Sequence, residues 1–268
     1  MDSGLTDNRA FEARPSRGIG KATALELAKE GCDVVIASRT QSALDEAAKE
    51  IEDITGRKII PLALDVTSRE EVDSVMAEAV KQLGGLDILV NSASLPGGSP
   101  SAVGPIDGLD ENELLSDFDT KYVGALRCAR AAIPFLKEQP WGRIINITSV
   151  AVKQPIDGLI LSNAVRAAVT GFAKTLANEV ASDGITVNNV MPGFTRTERL
   201  DGLAANISET QGITVEEAFA RWEGQSPMGR IGEPKEFAAI VACLASERAS
   251  YITGTSIPVD GGFIQSLL

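Results

Sequence analysis

The amino-acid sequence predicts a doubly wound α/β fold, a parallel β-sheet with helices packed on both faces. From residue 17 onward, stretches with helical apolar spacing alternate without a break with short apolar runs. Those runs, among them "CDVVIAS", "GRIINITS" and "ITVNNVMP", are nearly continuous in apolar residues, as strands covered on both faces must be. At 268 residues and 44% hydrophobic content, the chain suits a single domain over 1–268 with a sizeable core.

In chain order, "IGKATALELAKEG" reads as a helix capped by Gly31. "CDVVIAS" follows as a buried strand, then "QSALDEAAKEIEDITG" as a polar-faced helix and "KIIPLALDV" as the next strand. "SREEVDSVMAEAVKQLG" opens on Ser68 as N-cap, with Glu71 completing a capping box. "LDILVNSA" and "GRIINITS" are strands separated by a long helix from about Glu111 to Lys137. "SNAVRAAVTGFAKTLANEVASDG" is a helix leading into the strand "ITVNNVMP"; "GEPKEFAAIVACLAS" and "GTSIPVDGG" are the last helix and strand. The segment at about 195–230 breaks this rhythm. A long mixed insertion at the ligand edge of such a sheet is expected to be a lid or substrate loop. Within it Trp222 is either an apolar lid contact or the packed face of an amphipathic helix.

Composition narrows the function. Cys32, Cys128 and Cys243 are odd in number and widely spaced, with neither metal-ligand spacing nor a disulfide framework. A reducing, cytoplasmic setting is therefore expected. The start of the chain has no signal-peptide core, and no apolar run is long enough to span a bilayer. A net charge of −12 disfavours nucleic acid as a partner. The chain contains no histidine, which excludes Ser-His-Asp and Cys-His systems and any histidine metal site; no metal is expected. Proton transfer must come from a carboxylate, lysine, tyrosine, thiol or water.

The stretch "SRGIGKA" is a glycine-containing turn opening a helix. Gly18 and Gly20 permit close backbone approach, and helix-start amides suit a pyrophosphate. Ser16, Arg17, Gly18, Ile19 and Gly20 thus form a candidate cofactor turn, against the plainer reading of a turn that only packs. The following strand ends in Ser38 and Arg39, where the adenosine ribose of a dinucleotide would lie. Arginine there favours a 2′-phosphate, hence NADP(H) over NAD(H), with Arg17 as a second positive charge; the plainer alternative is a solvated charge at a strand end.

The motifs "SRGIG", "LDVTSRE", "LDILVNSAS", "GRIINITS", "NNVMPGFTRT" and "YITGTSIPVDGG" occur in order over nearly the whole chain, from about Ser16 to Gly262. In these the chain resembles the short-chain dehydrogenase/reductase family, and within it the 3-oxoacyl-carrier-protein-reductase-like group. The resemblance implies a Rossmann fold, an NADP(H)-dependent oxidoreductase acting on a small carbonyl/alcohol pair, and a homotetramer or homodimer built through the two long helices around Lys121 and Arg166. It places Asp65 and Val66 beside the adenine, Asn91 and Ala93 along the centre of the cofactor, and Pro192, Gly193 and Thr197 around the nicotinamide. Ser149 matches the family serine that hydrogen-bonds the substrate oxygen.

Three departures stand against this pattern. In "AFEARPSRGIG", Ala13 and Arg14 replace the family's Thr and first Gly, Pro15 removes an amide, and Glu12 sits where the central strand is usually apolar. Either this segment is displaced or the recorded start differs from the ancestral reading. The family's Tyr-x-x-x-Lys, one helical turn apart, falls on Ser162 and Arg166. A serine hydroxyl is a far weaker acid than a phenol, and Arg166 gives up no proton at working pH, although it can hold a ribose. The family's active-site asparagine falls on Lys121. A lysine partly buried near Arg166 is a candidate proton donor, against the alternative of a helix lysine in solvent. Lys153 is a second candidate, more simply read as a loop lysine. Two functions follow: an active reductase using Ser149, Ser162, Arg166 and Lys121, or a non-catalytic nucleotide-binding or partner subunit of the same fold.

Overall fold

The computed structural model describes residues 3–13, 17–92 and 106–267. Seven strands form one sheet in the order β3-β2-β1-β4-β5-β6-β7, and every pairing is parallel. They are β1 (Arg9–Ala13), β2 (Asp33–Ser38), β3 (Ile59–Ala63), β4 (Ile88–Asn91), β5 (Gly142–Ile147), β6 (Ile185–Pro192) and β7 (Ser256–Val259). Helices α1 (Gly18–Lys29), α2 (Gln41–Thr55) and α3 (Arg69–Leu83) link the first four strands. Between β4 and β5 run α4 (Glu111–Phe118), a π turn (Asp119–Val123) and α5 (Gly124–Leu136), so the long helix expected there is interrupted by wider winding. α6 (Ile160–Val180) precedes β6; α7 (Glu198–Gln211), α8 (Val215–Glu223) and α9 (Pro234–Ala245) precede β7.

Side chains alternate across the sheet and feed two cores. On one face Ala10, Ile36, Val90 and Ile145 meet Leu27 of α1, Leu44 of α2 and Phe237 of α9. On the other, Phe11, Val35, Leu89 and Ile144 meet Met76 of α3, Cys128 of α5 and Leu176 of α6. Helix ends follow local chemistry, with one difference from expectation. Ser68 Oγ does accept from the Glu71 amide (3.2 Å), but the Glu71 carboxylate takes the Asp65 amide (2.9 Å) instead of returning to Ser68, so only half of the capping box forms.

The uncertain opening segment is strand β1, at the centre of the sheet. Glu12 pairs in register with Ile36 and Val90 and is fully buried. Among the described residues neither of its carboxyl oxygens meets a donor. Burial pushes its pKa well above the usual carboxylate range, favouring the neutral acid. What holds β1 in place lies at its other end. Arg9 forks onto Asp87, with Nε to Oδ2 at 2.8 Å and Nη2 to Oδ1 at 2.7 Å, and its Nη1 donates to the Gly84 carbonyl at 2.7 Å. The Arg9 amide bonds Asp87 as well, at 2.8 Å. A Cβ at Gly85 would lie 1.9 Å from Arg9 Nη1, so this anchor requires glycine there.

Replacing Glu12 with methionine, of similar volume, is expected to raise stability by about 1–3 kcal/mol, since an unpartnered buried polar group leaves the core. The folded state keeps the Glu12 proton longer than the unfolded chain does. That part of the stability is present below the unfolded carboxyl value of about 4.3 and is lost as pH rises through the folded value. Urea unfolding from pH 4 upward should show a weaker alkaline decline in Glu12→Met; identical slopes in the two proteins would contradict a buried, proton-holding Glu12.

Candidate active site

The strand order turns back between β1 and β4, and the candidate residues collect at the carboxyl ends around that point. On the β2 side, Ser38, Arg39, Asp65, Val66 and Thr120 line one cleft. Ser38 is buried as the last residue of β2, and Arg39, next in chain, is exposed. Burial pushes the Asp65 carboxyl up, but bonds from the Thr67 amide (2.9 Å) and hydroxyl (2.8 Å), with Arg39 and Arg127 nearby, hold it below its ordinary value.

The glycine turn meets the β6 side of the site. Gly18 opens α1 at φ +54°, a conformation that favours glycine, and a Cβ there would lie 3.2 Å from the Thr197 methyl. Arg17, at the N-cap in extended conformation, offers no side-chain cap to the first amides of this 12-residue helix among the described residues. Its guanidinium pairs with Glu198 of α7 at 3.0 Å, both side chains largely exposed. Ile19 packs on the first core and Gly20 is buried. Ser16, Arg14, Pro15 and Ala93 lie outside the described residues.

Four strands are stitched by amides in register. Asn91 Nδ2 donates to Asn146 Oδ1 (3.0 Å), Asn146 Nδ2 to Asn189 Oδ1 (3.1 Å), and Asn189 Nδ2 to Ser256 Oγ (3.0 Å). Asn91 therefore spends its amide nitrogen within the sheet, while its buried Oδ1 meets no donor among the described residues. Pro192 ends β6; the Gly193 amide donates to Val259 (3.1 Å), and a Cβ on Gly193 would lie 2.7 Å from the Asp260 Cα. Thr197 caps α7, accepting from the Leu200 amide at 3.4 Å.

Of the catalytic candidates, Ser149, Ser162 and Arg166 follow β5 and Lys121 precedes it. Ser149 Oγ accepts from the Ala151 amide at 3.2 Å, capping a short 3₁₀ turn. Arg166, half-buried on α6, reaches the end of β5 and donates to the Ile147 carbonyl at 2.8 Å. Ser162 lies one turn earlier, also half-buried. Lys121 sits in the π turn, a winding common at functional positions, and is only 6% exposed, which rules out the solvent-facing reading. Its Nζ donates to Asp117 Oδ2 at 2.5 Å. Burial first, then Arg166, lowers its pKa to about 8, with Asp117 opposing and Arg199 assisting. Lys153 is exposed on its loop. Tyr122 packs between Phe118 and Phe172, and Tyr251 is fully exposed. Sequence reasoning missed Asp117, although its spacing of four from Lys121 on one helix face was the available signal.

The 195–230 insertion forms α7 and α8 around their own apolar cluster, Ala204, Ala218, Trp222 and Ile231. Trp222 is thus packed inside this cap, its ring stacked on Phe194 with centroids 5.8 Å apart. The cap joins the body where Thr195 bridges Gly232. Beside it opens a cavity of about 650 Å³ bordered by Gln154, Ile156, Gln225 and Phe263.

Comparison with known proteins agrees with this architecture. Residues 13–264 match the family model described as enoyl-(acyl carrier protein) reductase. The chain belongs to the short-chain dehydrogenase/reductase family. It is 33% identical over 267 residues to the NADPH-dependent reductase BacG of Bacillus subtilis, covering 98% of this chain and 100% of that one. It is 36% identical over 247 residues to the 3-oxoacyl-[acyl-carrier-protein] reductase FabG of Vibrio cholerae, covering 92% and 93%. The crystal structure of L-sorbose reductase from Gluconobacter frateurii, complexed with NADPH and L-sorbose, superposes with a TM-score of 0.93 at 32% identity over 100% of both chains.

Asn146→Ala would remove the acceptor for Asn91 and the donor for Asn189 together. It is expected to destabilise the protein by about 2–4 kcal/mol, two buried groups losing partners. A urea midpoint within error of the parent protein would show that the amide ladder is energetically idle.

Proposed function

We propose that this protein is an NADP(H)-dependent oxidoreductase acting on a small carbonyl/alcohol pair, with Lys121 as proton donor in place of the family tyrosine. The observation that carries this reading is the buried Lys121, facing Arg166 and Asp117, on the family's active-site asparagine position. Arg39 would bind the 2′-phosphate, and the α1 amides around Gly18, Ile19 and Gly20, with Ser16, the pyrophosphate. Asp65 and Val66 would flank the adenine, Asn91 and Ala93 the centre, and Pro192, Gly193 and Thr197 the nicotinamide. The residues fit such a cofactor: an uncapped helix start, a glycine cradle and an arginine-lined cleft lie along one edge. When bound, NADPH supplies the hydride.

The chain's own residues then do three things. Ser149 and Ser162 donate hydrogen bonds to the carbonyl oxygen, and Arg166 stabilises the negative charge that grows there. Lys121 Nζ gives one proton to that oxygen, completing the alcohol, and regains it from water. The cap of α7 and α8, with the cavity beside it, would select the substrate. The family relationship supports a homotetramer or homodimer through α5 and α6. Among the described residues no helix is long and apolar enough to cross a membrane.

Calorimetric titration with NADPH and NADH tests the cofactor assignment. Arg39→Ala should weaken NADPH by about 10–100-fold, the worth of a charge-assisted hydrogen bond, and leave NADH unchanged. Equal losses for both cofactors would remove Arg39 as the phosphate reader. Absence of binding to either would favour the non-catalytic reading, for which the missing tyrosine and lysine and the altered turn speak.

Lys121→Met should cut kcat/KM by about 10²–10⁴-fold, the usual worth of general acid help. In the parent protein the acid is active when protonated, so kcat/KM should hold steady at lower pH and fall above about 8. Unchanged turnover in the methionine variant would end the case for Lys121.

A further inference from the structure

We infer that Asp117 is the positioning residue that keeps Lys121 protonated and aimed; this role rests on the reading of Lys121 as the proton donor. Asp117 lies in the last turn of α4 and Lys121 in the π turn that follows, so the pair stands where the helix is locally rewound. Both side chains are almost wholly buried, at 2% and 5% exposure. Asp117 Oδ2 accepts from Nζ, and Asp117 Oδ1, also buried, meets no donor among the described residues. For packing alone an apolar pair would cost less than a buried ion pair with an unpartnered oxygen.

The charges facing Lys121 come from three elements. Asp117 lies on its own helix, Arg166 approaches from α6 and Arg199 from the start of α7. Burial and the two guanidinium groups favour the neutral amine; Asp117 is the group among these that favours the ammonium. It therefore decides whether a proton is available to give at neutral pH. Lysine carries three N–H bonds, and fixing one on Asp117 Oδ2 constrains where the remaining two point. When Lys121 yields its proton to the substrate oxygen, an amine is left beside a carboxylate. The local charge has fallen by one, which favours return of a proton from water.

The test follows Lys121 directly in the full-length protein labelled with ¹³Cε-lysine, its signal identified by loss in Lys121→Met. The Lys121 titration near pH 8 should move down by about one unit or more in Asp117→Asn, the loss of an adjacent buried charge. The alkaline fall of kcat/KM should move with it, while Asp117→Glu should return both toward the parent values. A Lys121 titration unmoved by Asp117→Asn would overturn the inference. Asp117→Ser gives the same readout if the asparagine variant does not fold. The two readings separate cleanly. Turnover that survives Lys121→Met, with a shifted titration in Asp117→Asn, removes the proton-donor reading but leaves Asp117 as the holder of the charge. Loss of turnover with an unmoved titration does the reverse.

Discussion

The seat of β1 between β2 and β4 is the constraint on which the rest depends, because it creates the point where the strand order turns back. The fork of Arg9 on Asp87 and Gly84 fixes that seat from the amino end of the strand. This matters because the carboxyl end is poorly suited to its place: Glu12 faces the core of α1 and α9 without a donor among the described residues. Register is thus set where water still reaches the ion pair, and an unfavourable side chain is carried inward by its neighbours. With β1 in register, Ala13 stands beside Ala37 and Asn91, and the start of α1 is delivered to the edge where Arg39 and Thr197 lie.

The fold was legible because parallel strands covered on both faces leave continuous apolar runs, and six of the seven strands announce themselves that way. β1 did not, since "RAFEARP" mixes two arginines and a glutamate into five strand residues and their neighbours. Its place is decided by pairing on both sides and by a fork to Asp87, 78 residues away, which no local pattern encodes. In the site, spacing from Ser149 located Ser162 and Arg166, and the structure puts Arg166 against the end of β5. The sequence left the burial of Lys121 open against a solvent-facing alternative, because the π winding that holds it has no compositional signature. The pairing of Arg17 with Glu198 was not legible for a similar reason: the two lie 181 residues apart in the chain.

Electrostatics runs opposite inside and out. The chain as a whole carries −12, yet Lys121 has Arg166 and Arg199 as well as Asp117 acting on it. The absence of histidine fits a site in which protonation is governed by burial and neighbouring charge on lysine.

The cap of α7 and α8 keeps its apolar residues to itself, around Trp222, and meets the body at Phe194 and the bridge from Thr195 to Gly232. Substitutions within it are therefore largely decoupled from the two cores that hold the sheet. In terms of modularity, the cap can be altered with little disturbance to the strand edge and the amide ladder. If the cap selects the substrate as proposed, a change of selectivity there would cost the fold little.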